Sequence, residues 1–204
     1  MAHLFLVRLA GGSPQCPGRD PGRSGSVPAP LEGKLVRLRA REPEDEPYYH
    51  RWINDPEVSR YLAARYPFSH AQEREFIATP SGYSHFVAAV VTLAEGRLIG
   101  DVELRHVQPE NRSAELGIMI GEREYRGRGY GTDTMRTLCR FAFEQMNLHR
   151  IELFVFADHQ QAISVYERVG FRVEGRRRDA IYKHGRYHDM LVMGLLEGEL
   201  RLDE

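Results

Sequence analysis

The residues best suited to chemistry are Arg126-Gly127-Arg128-Gly129-Tyr130-Gly131. Glycines accept positive φ and let backbone approach a ligand closely. A helix opening just behind them presents unpaired N–H groups and the positive end of its dipole. With Arg126 and Arg128 adding charge, the segment suits a phosphate or pyrophosphate. A Walker loop is excluded, because it needs Lys and then Ser or Thr after its last Gly, whereas Thr132 and Asp133 follow Gly131. A dinucleotide fingerprint fits poorly: the glycines run G-x-G-x-G and follow a meander, not the start of a βαβ unit. An Arg-Gly RNA-binding tract is a repeat, and this is a single copy between regular elements.

The elements that must position this turn are legible around it. Leu35 to Arg39 alternates apolar and basic residues, which predicts a half-buried strand. Pro43 suits a first helical turn, and Tyr49, Trp52 and Ile53 share a helix face until Asn54-Asp55-Pro56 interrupts. Ser69 and Gln72 form a capping-box pattern for a helix from about His70 to Ala78. Phe86 to Leu93 and Leu98 to Leu104 read as a hairpin, and Ala114 to Ile120 as a third strand entering the Gly-rich turn. A helix over Thr132 to Met146, a strand over Ile151 to Ala157 and a short helix from Ala162 capped by Gly170 follow. Phe171 to Val173 and Met190 to Leu196 read as closing strands separated by a polar stretch. The order predicts an α/β (α+β) fold: a mixed, mostly antiparallel sheet flanked by helices, in one domain over 31–204. Residues 1–30, rich in Gly, Pro and Ser from Gly11 on, read as a flexible extension.

The run ELGIMIGEREYRGRGYGTDTM resembles the acetyl-CoA-binding motif of the GNAT superfamily of N-acetyltransferases, whose core is Arg/Gln-x-x-Gly-x-Gly/Ala. Arg126, Gly129 and Gly131 match it in order. AISVYERVGF, from Ala162 to Phe171, resembles the family's following helix. HGRYHDMLVMGLL, from His184 to Leu196, resembles the last strands of the branch holding ribosomal-protein alanine and bacterial polyamine acetyltransferases. The resemblance implies a sheet that splays at the cofactor, with backbone groups of Ile118, Met119 and Ile120 pairing with the pantetheine arm. It further implies that the amides of Arg126, Gly127, Arg128, Gly129, Tyr130, Gly131 and Thr132 surround the pyrophosphate. His159 stands where many relatives carry Asn; it can donate to a cofactor carbonyl in the same way, with added pH dependence.

The implied activity is acetyl transfer to an amine, with no metal. An alkylammonium of pKa about 10.4 must first lose a proton, so a general base is useful. Glu115 is the favoured carboxylate because it shares a strand face with Gly117, next to room for a substrate; Glu103 and Asp101 are the others. A solvated or ion-paired carboxylate is the competing reading for Glu115. Tyr166 matches the family's usual proton donor to the leaving thiolate, although its spacing also places it on a buried helix face. Three functions stay open: transfer to a small amine, transfer to a protein N-terminus, and a non-catalytic acyl-CoA sensor. Only the sensor has no need of Glu115 and Tyr166.

Composition adds limits. Lys and Arg number 28 against 29 Asp and Glu, so no bulk field draws the chain to nucleic acid or an anionic membrane. Cys16 and Cys139 lie in unlike contexts, which argues against a disulfide and for a reducing cytoplasm. Nine histidines show no zinc spacing. No apolar run reaches the roughly 20 residues that span a bilayer, and the opening MAHLFLVRLA does not read as a signal peptide. Dimers are common in the family, so a homodimer is one expectation.

Overall fold

Apolar runs in the middle of the chain become strands because both of their faces are covered by helices. The computed structural model describes residues 31–65 and 67–202, so the expected N-terminal extension lies outside the described residues. Strands β1 (Val36–Arg39), β2 (Phe86–Thr92), β3 (Leu98–Gln108), β4 (Ser113–Ile120), β5 (Arg150–Phe156), β6 (Arg172–Lys183) and β7 (Arg186–Leu196) form one sheet. Its order is β1-β2-β3-β4-β5-β7-β6, and every pair is antiparallel except β4 with β5. Mixed α/β architecture is therefore the observed class.

Helices α1 (Glu46–Asn54), α2 (Pro56–Ser59) and α3 (His70–Ile77) cover one face, and α4 (Tyr130–Glu144) and α5 (Gln160–Val169) the other. The capping box of α3 is formed: the Gln72 N–H donates to Ser69 Oγ at 3.3 Å and the Ser69 N–H donates to Gln72 Oε1 at 2.9 Å. The larger core lies under α4 and α5, with Met135, Leu138, Val102, Leu116, Ile151 and Met193 buried together. The smaller one joins Tyr49, Trp52 and Ile77 to Ala89 and Val91. A buried polar tie anchors that second layer. Arg41 grips Asp101 with bonds of 2.9 and 2.5 Å, and the Tyr49 hydroxyl donates to the same carboxylate at 2.7 Å.

Two expectations need correcting. Helix α2 follows the Asn54-Asp55-Pro56 break, because Asp55 accepts the Glu57 N–H at 2.8 Å and caps a new turn. The polar stretch between the closing strands is itself strand: β6 and β7 run as one long hairpin around His184-Gly185, at φ 51° and 77°. Edge strand β6 is exposed along most of its length, so polar residues such as Arg176, Arg177 and Arg178 suit it and no period-two contrast shows.

Candidate active site

Strands β4 and β5 pair only at Ser113 with Arg150, Ala114 with Ile151 and Glu115 with Glu152. Beyond that apex β4 continues to Ile120 against β3, and β5 to Phe156 against β7, without pairing to each other. The result is a wedge in the sheet whose β4 edge offers the backbone of Leu116 to Ile120 to a ligand. Side chains agree with a backbone role: Ile118 and Ile120 pack on the α4–α5 core, and Met119 on the opposite one. A group binding in the gap meets the strand edge between them.

The open end of β4 leads into the Gly-rich turn. Gly127 and Gly129 take φ of 72° and 88°, conformations that favour glycine, and Gly129 is the N-cap of α4. The first intrahelical bond is donated by the Asp133 N–H to Gly129 at 2.9 Å, so the amides of Tyr130, Gly131 and Thr132 precede it. A Cβ on Gly127 would meet nothing within 4 Å, and one on Gly131 would come within 3.8 Å of Ile120 Cγ1. Asp133, the acidic residue of that first helical turn, is turned to other work. Its carboxylate accepts the amides of Lys34, Leu35 and Val36 at 3.0, 2.7 and 3.0 Å, so its charge is offset at the start of β1. These features fit a pyrophosphate.

Arg126 and Arg128 divide in role. The Arg126 guanidinium donates to the Ile120 and Gly121 carbonyls, each at 2.9 Å, and meets Glu57 at 3.3 Å. It therefore staples the turn to the end of β4, while Arg128 is exposed.

Tyr166 lies on α5, and His159 immediately precedes that helix. Tyr166 packs on the main core, and burial pushes its phenol up to about 12. His159 is the N-cap of α5 and stacks on Tyr61 at 3.8 Å with planes 9° apart. Burial, then Arg60, lowers its pKa against the opposing pull of Asp158, so the imidazole is neutral at physiological pH.

Glu115 sits at the apex on the α1–α3 face, opposite Tyr166. It accepts from Arg105 Nε and Nη2 at 3.0 and 2.5 Å, and His106 Nδ1 lies 2.9 Å from its other oxygen. Burial alone would raise its pKa, but Arg105 and His106 outweigh that and lower it. Glu103 stands over Gly117, just past the apex: a Cβ on that glycine would lie 2.8 Å from Glu103 Oε1. Asp101 is locked into its Arg41 and Tyr49 tie; burial raises its pKa. A cavity of about 500 Å³ lined by Glu115, Ser113, His106, Glu152 and Phe154 opens at the apex. Reasoning from sequence missed His85, Arg105, His106 and Tyr61. The histidines lie in or beside period-two runs with carboxylates, a signal too common to single them out.

Among the described residues no group of three His, Cys, Asp or Glu is placed to hold a metal, and no helix is long and apolar enough to cross a membrane.

Known proteins resemble this chain in sequence and fold. The acetyltransferase (GNAT) domain matches residues 36–172. A Bacillus subtilis protein named "Putative ribosomal N-acetyltransferase YdaF" is 36% identical over 107 residues, which span 52% of this chain and 58% of that protein. The spermidine N(1)-acetyltransferase of Escherichia coli is 28% identical over 162 residues, 79% of this chain and 86% of its own length. The Vibrio cholerae spermidine N-acetyltransferase, solved in complex with CoA and spermine, superposes with a TM-score of 0.72 at 28% identity, covering 80% of this chain and 96% of that one. The chain therefore belongs to the GNAT acetyltransferase family, whose acyl donor is acetyl-CoA, and is an N-acetyltransferase.

Proposed function

We propose that residues 31–204 form one catalytic domain that transfers the acetyl group to a primary amine by direct attack, with donor and acceptor bound together. The acceptor is a small amine or a protein N-terminus; one relative is named for spermidine and another as a ribosomal N-acetyltransferase. The observation that carries this reading is the wedge that opens beyond Glu115 and ends at the N-terminus of α4. Bound acetyl-CoA supplies an electrophilic thioester at that gap. Backbone of Ile118, Met119 and Ile120 holds the pantetheine arm, the amides from Gly127 to Thr132 hold the pyrophosphate, the expected Arg126 amide being already donated to the Arg123 carbonyl at 3.1 Å, and neutral His159 holds a cofactor carbonyl.

The two faces divide the proton work. Glu115 draws a proton from the incoming ammonium on the α1–α3 side, directly or through water. The freed nitrogen bonds to the acetyl carbon as the carbon–sulfur bond breaks, and Tyr166 protonates the departing thiolate from the α5 side.

Acetyl-CoA should raise the melting temperature of the chain, and Arg126→Glu, which removes the staple and adds negative charge, should abolish the shift. An unchanged melting curve at saturating acetyl-CoA would sink the cofactor assignment. Release of free CoA across a panel of polyamines, amino sugars and N-terminal peptides identifies the acceptor. Binding without turnover on any of them would favour a non-catalytic acyl-CoA sensor.

A further inference from the structure

Five side chains on the acceptor face form one unbroken series. His85 Nε2 lies 3.0 Å from Glu103 Oε2, and Glu103 Oε1 accepts from Arg105 Nη1 at 2.9 Å. Arg105 then donates to Glu115 Oε1, and Glu115 Oε2 lies 2.9 Å from His106 Nδ1. We propose that Glu103 with His85 and Glu115 with His106, two arms clamped together by the Arg105 guanidinium, are the routes by which the acceptor's proton leaves the site, with the imidazoles as terminal acceptors.

Three observations support this. The series crosses the apex, with Glu115 at the last paired position of the wedge and Glu103 over Gly117 just beyond it. Its charges are unbalanced by one: two carboxylates face one guanidinium, so with both imidazoles neutral the group holds room for one more proton. Backbone is also bent to complete it. Consecutive strand residues point to opposite faces, yet Arg105 and His106 both reach Glu115. They do so because β3 bulges between Arg105 and Gln108, with His106 at φ 51°. A non-glycine residue held there is strained, and bulges that re-aim a side chain gather at active sites.

The balance is simple. Overall, an ammonium and a thioester give an amide, a thiol and one free proton. The ammonium's first proton passes to the carboxylates and on to His85 or His106, whose side chains are 37% and 72% exposed and release it to water. The nitrogen–carbon bond then forms, the carbon–sulfur bond breaks, and the nitrogen's second proton replaces the one Tyr166 gives to sulfur. His85 faces Glu103 on β3. His106 faces Glu115 on β4, and the same cavity holds His149, Arg150 and Glu152.

The inference rests on the wedge being the transfer site, which acetyl-CoA calorimetry checks separately: failure to bind would sink that reading and this one together. With binding intact, kcat/KM against pH is measured with spermidine and with a short N-terminal peptide, for wild type and for the double variant His85→Gln, His106→Asn. The expected result is loss of the rising limb in the imidazole range and a ~100-fold fall in turnover, with acetyl-CoA affinity unchanged. Wild-type rate and limb in the double variant, or a rate loss that merely follows lost cofactor affinity, would overturn the proposal. If neither amine is turned over, the amine that releases most CoA in the panel takes their place, and turnover of no amine overturns this proposal together with the transfer reading.

Discussion

Burial pushes the Tyr166 phenol up to about 12, so it keeps its proton at any pH used for assay. Tyr166→Phe should cut kcat by about 10–100-fold while the KM for acetyl-CoA stays within about twofold; equal turnover of variant and wild type removes Tyr166 as the acid. His159 makes the opposite kind of prediction, because its pKa is lowered by burial. A depressed imidazole adds stability that is present above the unfolded value of about 6.5 and is lost as pH falls through the folded one. Melting temperature should therefore drop further between pH 7.5 and 5.5 in wild type than in His159→Asn; matching drops would show that His159 does not couple to folding. Cys139 is fully buried, and burial raises its thiol, so it plays the inert core role its helix stripe predicts.

At the scale of elements, the parts with local signals matched their sequence. Ser69 and Gln72 cap α3, and Gly170 ends α5 at φ 120°. Helix α2 escaped notice because four residues are too few for a 3.6-residue period to show. The β6–β7 hairpin escaped because an exposed edge strand needs no alternation. Close approaches of elements are set by single glycines. Gly121 lies against the Trp52 ring, where a Cβ would overlap ring atoms. Gly121→Ala should cost about 1–3 kcal/mol by overpacking, read as a lower urea midpoint with an unchanged m value; an unaltered midpoint would show that the two layers separate freely. Gly129 accepts its φ of 88° at the N-cap of α4, and a β-branched residue there is strained.

Across the whole molecule, one segment ties the two halves of the split sheet. Glu57 on α2 meets Arg123 and Arg126 at 3.0 and 3.3 Å, next to the Gly-rich turn. A few residues on, Tyr61 stacks on His159, and Lys183 Nζ donates to the Ser59 and Leu62 carbonyls at 2.7 and 2.6 Å. The segment thus runs from the β4 side of the wedge to the β5–β7 side. Bonds from a charged donor are worth about 1.5–3 kcal/mol, so Lys183→Met should speed amide exchange in residues 59–63 by about tenfold or more. Exchange at the wild-type rate would mean that Lys183 does not hold the strap.

By itself the sequence determined what depends on neighbours in the chain: the longer helices and the strands with an apolar face, the caps, and the Gly-rich turn whose amides suit a pyrophosphate. Arg126, Gly129 and Gly131 lie within six residues, so their spacing is their geometry. Only the tertiary structure decided where β4 and β5 part, because a parallel pair is joined across a helix and its register is non-local. It also decided that Arg126 staples the turn, and that Asp101 is locked away while Glu103 and Glu115 share Arg105. Those outcomes follow from which strands lie side by side, and from a bulge in β3 that no spacing of residues reveals.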